Sequence, residues 1–78
     1  MQKIRPDMDI GQNIKRLRAS VEMTQDQVIA QLQLMDIEIS KSTYAKLETN
    51  RMNIKVSELV ALSKIFKVNV AEFFEGLV

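Results

Sequence analysis

Between Thr24 and Glu48 the chain announces two helix starts in close succession. Thr24 followed three residues later by Gln27 is a capping box, in which each side chain satisfies a backbone N–H that the first helical turn leaves free. Ser40 is a second good N-cap. Behind Thr24, Val28, Ile29 and Leu32 recur at helical spacing and read as an inward face. Behind Ser40, Tyr44 and Leu47 lie three apart on one face, while Lys41, Ser42, Thr43 and Lys46 supply small polar and cationic tips on the outer one. Two short helices of this kind cannot bury their apolar sides alone, so further helices must pack around them.

Those helices are legible on either side. Asp9 with Gln12 repeats the capping pattern, and Ile10, Ile14 and Leu17 follow at helical spacing, which predicts a first helix over 10–20. The second helix runs from Thr24 to about Leu34 or Met35 and gives way to a loop through Asp36, Ile37, Glu38 and Ile39. Asn50 falls where a helix ends in a left-handed residue. Val56, Leu59, Val60, Leu62, Ile65 and Phe66 predict a central, largely apolar fourth helix. Asn69 with Glu72 is a third capping box, opening a short fifth helix through Phe73 and Phe74 with Gly76 as its stop. No stretch alternates as a strand does, so the expected class is all-α, a compact five-helix bundle. Met23, Val28, Leu32, Tyr44, Leu47, Leu59, Leu62, Ile65 and Phe66 form its expected core. Residues 1–8 read as a loose basic arm and 9–78 as one domain.

Composition narrows the chemistry. Seventy-eight residues leave room for one core, and 46% apolar with 27% charged residues suits a folded domain. Histidine and cysteine are both absent, which removes the usual general base, the usual nucleophilic thiol and the usual soft metal ligands. With no glycine-rich phosphate loop and no base partner for the serines, neither an enzyme nor a metal or cofactor site is expected. One small core also leaves little space for a small-molecule pocket. No apolar run nears the roughly 18 residues of a membrane span, and Met1–Met8 carries no hydrophobic signal region. The expected location is cytoplasmic.

Net charge is only +1, yet it is unevenly placed. Lys41, Lys46, Arg51 and Lys55 stand against Glu48 alone, and Lys3, Arg5, Lys15, Arg16 and Arg18 against Asp7 and Asp9, whereas the stretch 19–39 is wholly acidic in its charges. The basic excess therefore flanks the polar face of the Ser40 helix, where a surface that tracks phosphates needs it.

The run Thr24-Gln25, Val28-Ile29 and Leu32, the run Ser40, Ser42-Thr43-Tyr44 and Lys46-Leu47-Glu48, and the later Phe66-Lys67-Val68-Asn69-Val70 together resemble the phage-repressor (Cro/repressor-type, xenobiotic-response-element) helix-turn-helix family. The resemblance spans about Ile10–Phe74. It implies a lambda-repressor-like five-helix domain that binds double-stranded DNA, a transcriptional regulator and by expectation a repressor, acting in many members as a homodimer. The chain departs from the family in one place: the usual link between helices two and three is a tight turn of about four residues, whereas the stretch from Thr24 to Ser40 is several residues longer and lacks glycine.

Carried onto this chain, the resemblance assigns DNA contacts to Gln25, Ser40, Lys41, Ser42, Thr43, Lys46 and Arg51. Ser40 is first of all a cap. Lys41 suits a guanine edge or a phosphate, Ser42 and Thr43 suit several base edges or phosphates, and Lys46 lies one turn further along the outer face. Gln25 and Arg51 are phosphate contacts by resemblance. Arg18 and Glu48 match a pair that forms an internal salt bridge, a structural role that also keeps the Glu48 charge away from phosphates. Phe73, Phe74, Leu77 and Val78 are more apolar surface than one helix face hides, so part of this end is a candidate dimer contact. The competing reading is a protein-interaction module of the same fold, antitoxin-like or an adaptor, suggested by the near-neutral charge, the lengthened link and the apolar C-terminus.

Overall fold

A computed structural model describes residues 9–77. The expected basic arm at residues 1–8, and Val78 of the candidate dimer contact, lie outside the described residues. Four α-helices follow one another: α1 (Ile10–Ser20), α2 (Gln25–Leu34), α3 (Lys41–Glu48) and α4 (Val56–Phe66). The fifth expected helix is a 3-10 turn, Val70–Phe74, and no strand occurs among the described residues. A segment of five residues gains too few hydrogen bonds to hold an α-helix in place, and the tighter ladder suits so short a piece. Asn69 makes no side-chain cap there, so the expected third capping box is not formed.

The helix starts follow from their caps. Asp9 accepts from the Gln12 amide at 3.0 Å. Thr24 and Gln27 close the full reciprocal box, the Gln27 amide donating to Thr24 Oγ1 at 3.1 Å and the Thr24 amide to Gln27 Oε1 at 2.8 Å. Ser40 Oγ accepts from the Thr43 amide at 3.1 Å.

Each α-helix stops at a left-handed residue, and none of the four is glycine: Glu22, Asp36, Asn50 and Lys67 have φ of 58°, 63°, 60° and 59°. After α2, the Ile37 amide reaches Leu32 O at 2.9 Å and the Asp36 amide reaches Gln33 O at 3.0 Å. This pair of bonds is a Schellman stop, which satisfies the last carbonyls of the helix. The same pair closes α3, with Arg51 to Lys46 O at 2.8 Å and Asn50 to Leu47 O at 3.3 Å. The lengthened link is thus a defined helix stop followed by a short irregular stretch up to Ser40, with Ile37 and Ile39 half-buried against the core.

α1 packs on α3 and on the 3-10 turn, while α2 packs on α3 and α4. Ile14, Val28, Tyr44, Leu62 and Phe73 are wholly buried between them, with Leu17, Leu32, Leu47, Ala61 and Phe66 nearly so. Phe73, counted at the sequence level as a candidate dimer contact, is therefore a core residue: its ring lies 6.3 Å from that of Phe66, and no part of it is accessible. Phe74 and Leu77 are half-buried. The turn that carries Phe73 is held to α1, where Asn13 Nδ2 donates to Phe73 O at 2.9 Å and to Glu75 O at 3.0 Å, and apolar burial against Phe66 keeps the ring inside. On α4, Val56 is 76% exposed, so the apolar face of that helix begins at Leu59 rather than at its first residue.

Gly11 fixes how closely α1 approaches α3. A Cβ at this position would stand 2.5 Å from Leu47 O, 2.7 Å from Glu48 O and 2.8 Å from the Asn50 amide nitrogen. No other side chain allows the end of α3 to lie against α1 at this distance.

Candidate nucleic-acid interface

α3 has one buried face and one open one. Tyr44, Leu47 and Glu48 point into the domain, while Ser40, Lys41, Ser42 and Lys46 are exposed, as is Arg51 just beyond the helix. The partition follows from helical periodicity: the inward residues are three and four apart, and Ser42 and Lys46, themselves four apart, lie on the opposite arc. Lys41 shares the stripe of Tyr44 and Glu48 and is exposed because it stands in the first turn, beside Asp26 of α2. The lengthened link does not fold over this surface. It leaves instead an open hollow lined by Gln33, Glu38, Ile39 and Ser40 beside the start of α3.

Beneath the open face lies a network that sets the orientation of α3. The Arg18 guanidinium grips Glu48 with Nε to Oε2 at 2.7 Å and Nη2 to Oε1 at 3.0 Å, and its Nη1 donates to Met23 O at 2.9 Å. Tyr44 donates its hydroxyl to Glu48 Oε2 at 2.6 Å, and Gln25 Nε2 donates to Glu48 Oε1 at 3.0 Å. One carboxylate therefore ties α1, α2 and α3 together. Burial alone pushes the Glu48 carboxyl up, but the bonds from Arg18, Tyr44 and Gln25 outweigh it and hold the group below the ordinary carboxylate range. The bond to Glu48 correspondingly holds the Arg18 guanidinium above its usual value, against the opposing effect of burial. Burial, then the bond to Glu48, drives the Tyr44 phenol well above its own. Such a carboxylate cannot act at the surface; its work is to align helices.

The remaining expected contact residues divide by what they already touch. Ser42, Lys46 and Arg51 have no ion pair among the described residues. Lys41 Nζ lies 3.2 Å from Asp26 Oδ1, with both side chains well exposed. Thr43 is half-buried, and its Oγ1 accepts from the Ser40 hydroxyl at 3.0 Å, so it turns partly toward the cap. Gln25 is half-buried and spends one amide proton on Glu48, leaving the other at the start of α2. Two participants escaped the sequence reading. Asp26 is legible there only as an acid in a helix first turn, because its partner is defined by the crossing of α2 and α3. Gly11 did carry a signal, since glycine inside a helical pattern is costly without a close approach to justify it.

Two helices joined at a fixed angle, the second exposing a polar and cationic first turn over a rigid internal tie, define a helix-turn-helix domain. A family model described as helix-turn-helix matches residues 14–73, from within α1 to the 3-10 turn, and the chain belongs to that family, in its Cro/repressor-type branch of DNA-binding regulators. Comparisons with curated proteins and with solved structures returned no match. Among the described residues no group of acidic, histidine or cysteine side chains is placed to hold a metal ion, and no helix is long and apolar enough to cross a membrane.

Proposed function

We propose that the protein is a sequence-specific transcriptional repressor that reads the major groove with the first turn of α3. The observation that carries this reading is the open surface of α3: Lys41 in its first turn and Ser42 and Lys46 on its outer face stand exposed on a helix whose inner side is locked by Glu48. A groove reader needs both properties, since the helix must project and must not rotate once it has entered.

In this reading Ser42 and Lys46 meet base edges, Lys41 meets a guanine edge or a phosphate, and the second amide proton of Gln25 and the Arg51 guanidinium hold the flanking phosphates. Ser40 acts as the cap that aims the turn, and Thr43, braced by Ser40, has one side left for the duplex. Two copies would read half-sites about one helical turn, roughly 34 Å, apart. With Phe73 buried, Phe74 and Leu77 are the described apolar residues left at the C-terminal end for that pairing.

Selection of duplexes from a random pool tests the proposal. A recovered consensus, palindromic if the protein pairs, is the expected result. If no sequence is enriched at moderate salt while the chain captures a protein partner through its C-terminal face, the adaptor reading takes its place.

A further inference from the structure

Lys41 differs from the other cations on the α3 surface in having a carboxylate already on it. Its Nζ lies 3.2 Å from Asp26 Oδ1, in the first turn of α2, while Lys46 and Arg51 have no acidic partner among the described residues. Neither member is buried: the side chains are 62% and 72% exposed, so packing does not force the contact. Asp26 is stabilised where it sits, because the unpaired amides of a helix start favour a negative charge. It also stands next to Gln25, at the place where the proposed interface receives a DNA phosphate.

We infer that Asp26 is a tethered competitor of the DNA backbone, holding Lys41 in an internal ion pair and so restraining sequence-independent binding. This inference rests on the DNA-reading function proposed above. Sequence-independent binding is driven by cations that neutralise phosphates and release condensed counterions. A lysine already neutralised by a neighbouring carboxylate releases none until that pair opens. A duplex therefore gains from Lys41 only when it displaces Asp26, a cost that the base contacts of a preferred site offset and that a random duplex bears without compensation. The near-neutral net charge of the chain, +1, fits a reader that does not rely on bulk positive charge.

The experiment compares wild type, Asp26→Asn, Lys41→Gln and the double variant by fluorescence anisotropy on a short duplex of random sequence, between about 50 and 200 mM salt. Asp26→Asn should tighten random-duplex binding about two- to fivefold, the scale of one exposed ion pair. It should also steepen the salt dependence by about 0.9 in log–log slope, one added counterion. Both changes should vanish in the Lys41→Gln background. Since both side chains face solvent, all four proteins should fold, and matching melting curves establish this.

Unchanged random-duplex affinity in Asp26→Asn overturns the inference. A gain that persists in full without Lys41 also overturns it, because Asp26 would then act by its own repulsion of phosphates. If wild type and all variants fail to bind any duplex at low salt, the DNA-reading function itself falls, and the inference falls with it.

Discussion

The Arg18 guanidinium and the Glu48 carboxylate meet through two hydrogen bonds, at 2.7 and 3.0 Å, across the junction of α1 and α3. Glu48 is 2% exposed at its side chain and Arg18 16%, so the pair is largely withdrawn from water. A withdrawn pair contributes less net stability than its geometry suggests, because both charges are desolvated. Breaking it is another matter. Glu48→Ala would leave Arg18, the Tyr44 hydroxyl and the Gln25 amide without their shared acceptor, and should cost about 3–5 kcal/mol. Thermal unfolding followed by circular dichroism checks this, and an unaltered melting temperature would refute the role assigned to Glu48.

The same network predicts how stability responds to pH. Glu48 is held below its ordinary value in the folded state, whereas an unfolded glutamate titrates near about pH 4.3. Its contribution is therefore complete above that pH and is lost as acid carries the solution down through the folded value. Tyr44 has the opposite sign: its folded value is raised, so its contribution is complete below about pH 10, where an unfolded tyrosine titrates, and is lost above it. Denaturant unfolding across the pH range should show a plateau that falls at both ends. Tyr44→Phe should flatten the alkaline limb, and an unchanged limb would place the loss elsewhere.

Gly11→Ala tests the close crossing of α1 and α3. In an open helix this exchange stabilises by about 1 kcal/mol. Here the new Cβ would strike backbone atoms of Leu47, Glu48 and Asn50, none of which can rotate out of the way. A net loss of roughly 1–3 kcal/mol is expected, together with weaker DNA binding as α3 shifts. A gain in stability would show that the crossing is looser than described.

Lys67→Gly should act in the other direction. Lys67 ends α4 in the left-handed region at φ 59°, a conformation that costs a residue with a Cβ roughly 1–2 kcal/mol. Glycine removes that strain but gains freedom in the unfolded chain, so the net stabilisation should be about 0.5–1 kcal/mol. A chemical denaturation midpoint that falls instead would contradict the assignment.

These helix stops also explain what could and could not be foreseen. Helix starts declare themselves through side chains, so Asp9, Thr24 and Ser40 placed three of the four from residue types alone. Helix stops declare themselves mainly through glycine, and this chain ends its helices on Glu22, Asp36 and Lys67, which carry no such mark; only Asn50 does. The lengthened link accordingly looked like an open loop, although Ile37 and Asp36 close it with a regular stop. Phe73 was ambiguous for a different reason. An apolar surplus at a chain end reads the same whether it covers the core or awaits a partner, and Asn13, which holds the turn in place, lies 60 residues away in sequence. The Asp26–Lys41 pair was hidden likewise, because it depends on the angle between two helices and not on any spacing.

The central claim, that the opening turn of α3 enters a DNA duplex, is tested most directly by nuclear magnetic resonance. Amide shifts would be followed while the protein is titrated with the selected duplex. The largest changes should fall on Lys41, Ser42, Thr43 and Lys46, with smaller ones at Gln25 and Arg51. Changes confined to Phe74–Leu77 and the outer side of α4, with α3 undisturbed, would contradict it.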